Sequence, residues 1–316
     1  METQQKSALT VLVMIAVIAL ATWITLDTVE HPNQLVPTSD NPSPLGYTWS
    51  LVLFIIPIGA LLVWLFRHPH LPFQKGAFGI TLGLLLPLGF VLDLLFAHTF
   101  FLFPNTHAVL GIEVPGVGGG IPIEEFIFYL SAFVFVLLLY VFNDEYWLLA
   151  YNVPDYEERS QKIKRLVVFH PMSLVIGLLL LGVGIIYKKF FSDVPDGFPG
   201  YYAYVLAVAV IPSMGFFKTT SPFINWRAFS LSFFILLLIS LLWEASLALP
   251  YGWWNYQHEA MMGIFIGAWA DLPLEAALVW LMATFTSVIV FEVVKIWRAS
   301  GRPALHAFLG LGPERK

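Results

Sequence analysis

Apolar residues along this chain run in near-continuous stretches of about 20 positions. They show neither the alternation of a half-buried strand nor the single apolar stripe of a soluble helix. The stretches predict eight membrane-crossing helices, approximately Ala8–Leu26, Tyr47–Phe66, Ala77–Phe103, Ile121–Phe142, Leu166–Tyr187, Tyr201–Phe217, Ala228–Leu249 and Pro273–Trp297. Ala8–Leu26 is long for the apolar core of a signal peptide and has only Lys6 before it as a positive flank, so it reads as a retained helix.

The polar breaks between the stretches orient them. Counting basic residues on alternate sides places 14 of the 16 Lys and Arg on one side, and only Lys188 and Lys189 on the other. By the positive-inside rule both termini are cytoplasmic, in an integral protein of the cell membrane.

Sliding the sequence by 151 residues superposes its two halves without a gap. Asp93 falls on Glu244, Phe103 on Trp254, His107 on His258, Ile121-Pro122-Ile123-Glu124 on Leu272-Pro273-Leu274-Glu275, and Tyr129 on Trp280. Polar positions coincide as well as apolar ones, which predicts two four-helix units in tandem, residues 1–150 and 151–316. An even number of helices per unit makes the repeats parallel, related by an axis along the membrane normal. The charged loop at 143–165 is the linker.

Composition narrows the function classes. With 58% hydrophobic and only 12% charged residues, and a mean hydropathy of +0.78, the chain is far from the roughly 25% charged content of soluble domains. The fold class is therefore all-α integral membrane. No cysteine is present, which removes disulfides, thiolate nucleophiles and Cys-ligated metals. A net charge of -5 with no basic block outside the loops leaves no footprint for nucleic acid.

Against this background the acids stand out. An ionised carboxylate in hydrocarbon costs several kcal/mol, about 2.5 to 3.5 on insertion scales, so each needs a partner or a use. Asp93 and Glu244 lie inside long apolar runs, roughly two-thirds of the way across at 1.5 Å per residue. Pro122 and Pro273 suit the first turn of a helix, where a missing N–H costs nothing. That puts Glu124, with Glu125 beside it, and Glu275 at the positive end of the helix dipole, where N-terminal acids also occur for purely structural reasons. The spans can bring Asp93 near Glu124 and Glu125, and Glu244 near Glu275. Several carboxylates in one low-dielectric site cannot all ionise, so one stays protonated as a general acid while a neighbour serves as base.

The connections that precede the Pro-x-Glu helices contain no Lys or Arg and are expected to roof a site. Aromatic side chains crowd the same region, among them Phe101, Phe128, Tyr129, Trp254, Tyr256 and Trp280. Aromatic faces stabilise cations, although most of these rings are accounted for by ordinary packing and interfacial belts. His107 and His258 occupy equivalent positions in the connections. They read as loop hydrogen-bonding groups beside substrate, and no metal site is expected. The run "GVGGG" at 116–120 lacks the third glycine of a dinucleotide fingerprint and follows no strand, so it reads as a turn.

The Pro-x-Glu-Glu-Phe pattern of "GIPIEEFIFYL", with its partner "DLPLEAALVWL", resembles the membrane-embedded lycopene cyclase family, here as a fused chain. The resemblance is clearest over residues 77–142 and 228–293. It implies acid-initiated closure of the linear ends of lycopene into β-ionone rings, with no net redox change and no cofactor. It carries over Pro122, Glu124 and Glu125 in the first unit and Pro273 and Glu275 in the second. Asp93 and Glu244 come from burial and repeat spacing. Ala276 stands where the motif would place a second glutamate. The expected partners are a lipophilic polyene or isoprenoid substrate and membrane lipid, with self-association into a homo-oligomer left open.

A cyclase or isomerase of another polyisoprenoid fits the same residues. From a different class, a proton-coupled transporter or lipid carrier also uses tandem repeats with intramembrane acids. A prenyltransferase would need clustered aspartates for Mg²⁺, and "DVPDG" at Asp193–Gly197 is a lone loop pair. A retinal Schiff-base protein would want a lysine within a helix, whereas Lys188, Lys189, Lys218 and Lys295 fall near span ends.

Overall fold

The computed structural model describes residues 44–153 and 156–310. Seven of its helices are long and apolar enough to cross a bilayer, the mark of an integral membrane protein. The expected span Ala8–Leu26 lies outside the described residues. The helices are α1 (Gly46–Arg67), α2 (Lys75–Phe100), α3 (Ile123–Phe142), α4 (Tyr156–Lys162), α5 (Pro171–Phe190), α6 (Gly200–Thr220), α7 (Trp226–Trp243), α8 (Leu274–Ser300) and α9 (Ala304–Leu309). The short α4 and α9 do not span. Six short strands, β1 (Phe101–Leu102), β2 (Glu113–Gly116), β3 (Gly119–Pro122), β4 (Asn255–Tyr256), β5 (Phe265–Ile266) and β6 (Leu272–Pro273), lie in the connections.

α3 and α8 are the central, most buried pair, with α1, α2 and α7 packed on α3, and α2, α6 and α7 on α8. α5 packs on α6 at the periphery, where Gly177 and Gly184 leave no room for a Cβ against Val210 and the ring of Tyr202. Small residues of this kind let membrane helices approach closely. The outer faces of α1, α2 and α5 expose Leu, Ile, Val and Phe, as a hydrocarbon solvent allows.

Several boundaries differ from the sequence expectation because backbone groups find partners elsewhere. α5 begins at Pro171, not Leu166, because the N–H groups of Leu166, Val167, Val168 and His170 donate to Ala307, Phe308, Gly215 and Met214. α2 ends at Phe100, since Phe101 and Leu102 pair antiparallel with Tyr256 and Asn255. Pro122 and Pro273 are the N-caps of α3 and α8, not residues of the first turn. Each ends a β-hairpin strand in extended conformation, with ψ of 138° and 150°.

Several elements start 151 positions apart: α2 at Lys75 and α7 at Trp226, α3 at Ile123 and α8 at Leu274. Each of the two connections carries a 3-10 turn, Thr106–Ala108 or His258–Ala260, ahead of a β-hairpin, and the second hairpin has a further 3-10 turn, Gly267–Trp269, between its strands. The connections are laced together through β1 and β4 and by Asn105, whose side chain donates to the Tyr251 carbonyl at 2.8 Å. The "GVGGG" run is a tight hairpin turn. Gly118 has φ of +97° and packs on His98, whose Cβ would lie 3.0 Å from an added Cβ. Only glycine adopts that backbone without strain.

Candidate functional site

Each acid is placed by the turn of helix on which it sits. Glu124 and Glu275 are the second residues of α3 and α8, and their side chains reach back to the connections that precede those helices. Glu124 Oε1 accepts the N–H of Leu110 at 2.8 Å and the hydroxyl of Thr48 at 2.6 Å. Glu275 Oε1 accepts the N–H of Met262, and the Lys188 ammonium is within its electrostatic reach. Both glutamates are fully buried, and the second oxygen of each has no hydrogen-bond partner. They clamp the two connections onto the helices.

Glu125 is one residue further along, rotated by about 100°, and so faces inward. Its Oε1 accepts the Tyr47 hydroxyl at 2.8 Å, and the Tyr47 ring stacks on Trp253 with centroids 5.6 Å apart. Asp93, Glu124 and Glu244 are the acids that act electrostatically on Glu125. Asp93, on α2, lies near Tyr129, one turn beyond Glu125 on α3, and its Oδ2 is buried without a partner.

Glu244 lines the same cavity as Glu125. α7 gives way at Glu244 to a π-helical turn, Glu244–Ala248, a local widening frequent at functional sites. Glu244 Oε2 accepts the Tyr256 hydroxyl at 2.6 Å, and Oε1 lies 3.4 Å from Trp280 Nε1. Burial and the adjoining Glu244 carboxylate hold the Tyr256 phenol well above its ordinary range, so it stays a donor.

Glu125 and Glu244 line one cavity of about 100 Å³. Phe101, Phe128, Tyr129, Tyr201, Trp254, Tyr256 and Trp280 wall it. α3 and α8 line it with residues 151 positions apart: Phe128 and Val279, Tyr129 and Trp280, Ala132 and Ala283. Phe128 stacks on Trp243 at 5.4 Å and meets Trp280 edge-on at 6.0 Å. Two carboxylates facing one aromatic-walled space can deliver and remove protons on an apolar molecule.

The structure thus gathers Glu125, Glu244, Phe128, Tyr129, Trp254 and Trp280 at one cavity, with Asp93 behind Tyr129. Glu124, Glu275, Pro122 and Pro273 hold the adjoining helix starts. His107 and His258 stay apart from it, exposed on 3-10 turns. Tyr47 and Thr48 were not foreseen, because hydroxyl-bearing residues in the first turn of a span read as an interfacial belt.

A second polar cluster lies at the opposite end of α3 and α8. Lys295 Nζ is 3.0 Å from Glu292 Oε1 and 3.9 Å from Asp144 Oδ2. Tyr140 donates to Glu292 at 3.2 Å, Asn225 to Asp144 at 3.0 Å, and Asn152 to the nearby Glu145 at 3.0 Å. Asp144 and Glu145, which the sequence assigned to a charged linker, are buried on a π-helical turn, Asn143–Trp147. The signal available beforehand was Glu292-x-x-Lys295, an i,i+3 pair inside an apolar helix. No protein-family model, no curated protein and no solved structure matches this chain.

Proposed function

We propose that this protein is a carotenoid cyclase of the lycopene type, which closes linear polyene ends into β-ionone rings by carboxylate acid–base chemistry. The observation that carries the reading is the pair Glu125 and Glu244, which both line one aromatic cavity. The resemblance of "GIPIEEFIFYL" to the membrane lycopene cyclases supports it.

One of the two carboxyl groups gives its proton to the terminal double bond of the polyene and leaves a tertiary cation. The next double bond in reach attacks that cation, forming the ring bond and moving the charge to a ring carbon. The other carboxylate takes a proton from the ring, and a ring double bond forms. Mass is unchanged, and the proton returned equals the proton spent. The walls of Phe128, Trp254 and Trp280 lower the energy of the cation. Tyr47 and Tyr256 position the two carboxyl groups.

The equal spacing of α2 with α7 and of α3 with α8 supports reading the chain as two parallel repeats joined on the cytoplasmic side, with both termini on that side. The site then lies where the repeats meet. Glu125 has only Ala276 as its counterpart, so each chain holds one composite site.

Expression in a bacterium that accumulates lycopene, followed by chromatography and mass spectrometry of the pigments, tests the proposal. Isomers of lycopene with one or two rings are the expected product. Unaltered lycopene, with the protein folded in the membrane, overturns it. A proton-coupled transporter is the second reading, favoured by the carboxylate cluster at the other end of the bundle. Against it, Val136, Leu139 and Leu236 pack as an apolar plug along the core of the bundle.

A further inference from the structure

Five of the chain's 16 Lys and Arg, namely Arg159, Lys162, Lys164, Arg165 and Lys218, line one open recess of about 620 Å³ at the basic end of the bundle. No acidic residue lines it, and among the described residues none of the five is in an ion pair. The bias of basic residues toward one side of a membrane acts on every loop of that side. It does not by itself gather five of them into one hollow. A second recess at the same end, which shares Phe223 with the first, is mixed in sign, with Glu145 among Lys75, Lys295 and Arg298. Like charges within a Debye length, about 8 Å at physiological salt, repel one another, so a hollow lined by cations alone favours an anion from outside.

The backbone that presents these side chains is held in place. Arg302 donates to the carbonyls of Gln161 at 2.9 Å and Ile163 at 2.8 Å. Thr219 donates to the Leu166 carbonyl at 2.9 Å, and the N–H of Val168 donates to Gly215 at 2.8 Å. The segment with Lys162, Lys164 and Arg165 is thereby tied to the end of α6, whose last turn carries Lys218.

The rim of the recess is apolar and turned outward. Val168 is one of the lining residues, and Phe169 beside it is 59% exposed, with Met172 in the first turn of α5 exposed as well. Ile211, seven residues and so about two turns before Lys218 on the same face of α6, is 68% exposed. A soluble anion has no use for such a rim, whereas a lipid lays its acyl chains along it.

We infer that this recess binds the phosphate headgroup of an anionic phospholipid from the leaflet on the basic side of the membrane. Lys164, Arg165 and Lys218 hold the phosphate, and the acyl chains run past Phe169, Met172 and Ile211. Basic pockets between membrane helices suit such headgroups, and a guanidinium meets two phosphate oxygens at once. The inference stands apart from the chemistry of the carboxylate cavity.

The test is native mass spectrometry of the delipidated full-length protein in neutral detergent, titrated with dioleoyl phosphatidylglycerol or with dioleoyl phosphatidylcholine. The anionic lipid is expected to be retained at much lower concentration than the zwitterionic one. Arg165→Gln with Lys218→Gln should weaken its apparent affinity roughly tenfold or more. Arg165→Lys with Lys218→Arg, which keeps the charges, should retain most of it. Arg67→Gln with Arg227→Gln removes two exposed charges at the same end but outside the recess, and should leave the affinity unchanged. If the Arg165→Gln, Lys218→Gln protein aggregates on gel filtration, Lys164→Gln takes its place, with a loss of about fivefold expected.

Equal retention of the two lipids by the parent protein overturns the inference. So does parental affinity in the variant that loses charge within the recess, or equal weakening in the one that loses it outside, which would leave only the general charge of that surface. Displacement of the anionic lipid by inorganic phosphate at equal concentration would make the recess a soluble-anion site, and displacement by a poly-glutamate peptide would assign it to an acidic protein partner. Either result overturns the lipid.

Discussion

Asp144 and Lys295 stand 151 positions apart in the chain and meet at 3.9 Å, one from the end of α3 and the other from α8. Two residues remote in the chain therefore touch, and they carry opposite charges. Two acids or two lysines there would repel in a setting where both side chains are nearly buried.

Lys295→Met is the most damaging single change expected at that end of the bundle. It leaves Asp144, Glu145 and Glu292 without their cation, and breaking a buried ion pair from one side costs roughly 3–5 kcal/mol. Asp144→Asn keeps a polar group toward Asn225 and should cost less. Thermal unfolding of both variants in detergent gives the order, and equal midpoints would contradict it.

Glu125→Gln and Glu244→Gln should each reduce ring formation by about 10²–10⁴-fold while the protein still inserts and folds, since each removes one partner in proton transfer. The readout is ring-containing pigment per unit of membrane protein. Parental turnover in either variant removes that residue from the acid–base pair.

Glu124 should divide differently between stability and chemistry. Glu124→Gln retains the oxygen that accepts from Leu110 and Thr48, so it should stay folded and largely active. Glu124→Ala leaves a buried N–H unpaired and should lose about 1–3 kcal/mol. If Glu124→Gln were as inactive as Glu125→Gln, with normal stability, Glu124 would belong to the chemistry and not to the clamp.

Tyr47→Phe keeps the stack on Trp253 and removes only the hydroxyl that holds Glu125. A stability loss of about 1 kcal/mol is expected, together with a fall in turnover larger than any rise in KM. A change confined to KM would mean that Tyr47 touches substrate and does not position the carboxyl group.

Gly184 offers a purely structural control. Any Cβ there collides with the Tyr202 ring, so Gly184→Leu should push α5 from α6 and cost roughly 1–3 kcal/mol. α5 contributes no residue to the carboxylate cavity and α6 only Tyr201, so ring formation per folded molecule should largely hold. Loss of activity at unchanged stability would point to a link between α5 and the site.

The sequence by itself determined the seven described spans to within a few residues, because about 20 apolar residues in a row satisfy bilayer thickness regardless of what they pack against. It also singled out Asp93, Glu124, Glu125, Glu244 and Glu275, since an acid in an apolar run needs an explanation wherever it sits. Tertiary structure decided which acids meet. Glu124 and Glu125 are neighbours in the chain, yet a rotation of about 100° per residue sends one to the Leu110 amide and the other to the cavity. The packing of α7 on α3 brings Glu244 to the cavity that Glu125 lines. The start of α5 and the burial of Asp144 and Glu145 were likewise set by partners far away in the chain, Ala307 and Lys295 among them. Span length is a property of a segment and its solvent, whereas the direction of a side chain depends on which helix lies across from it.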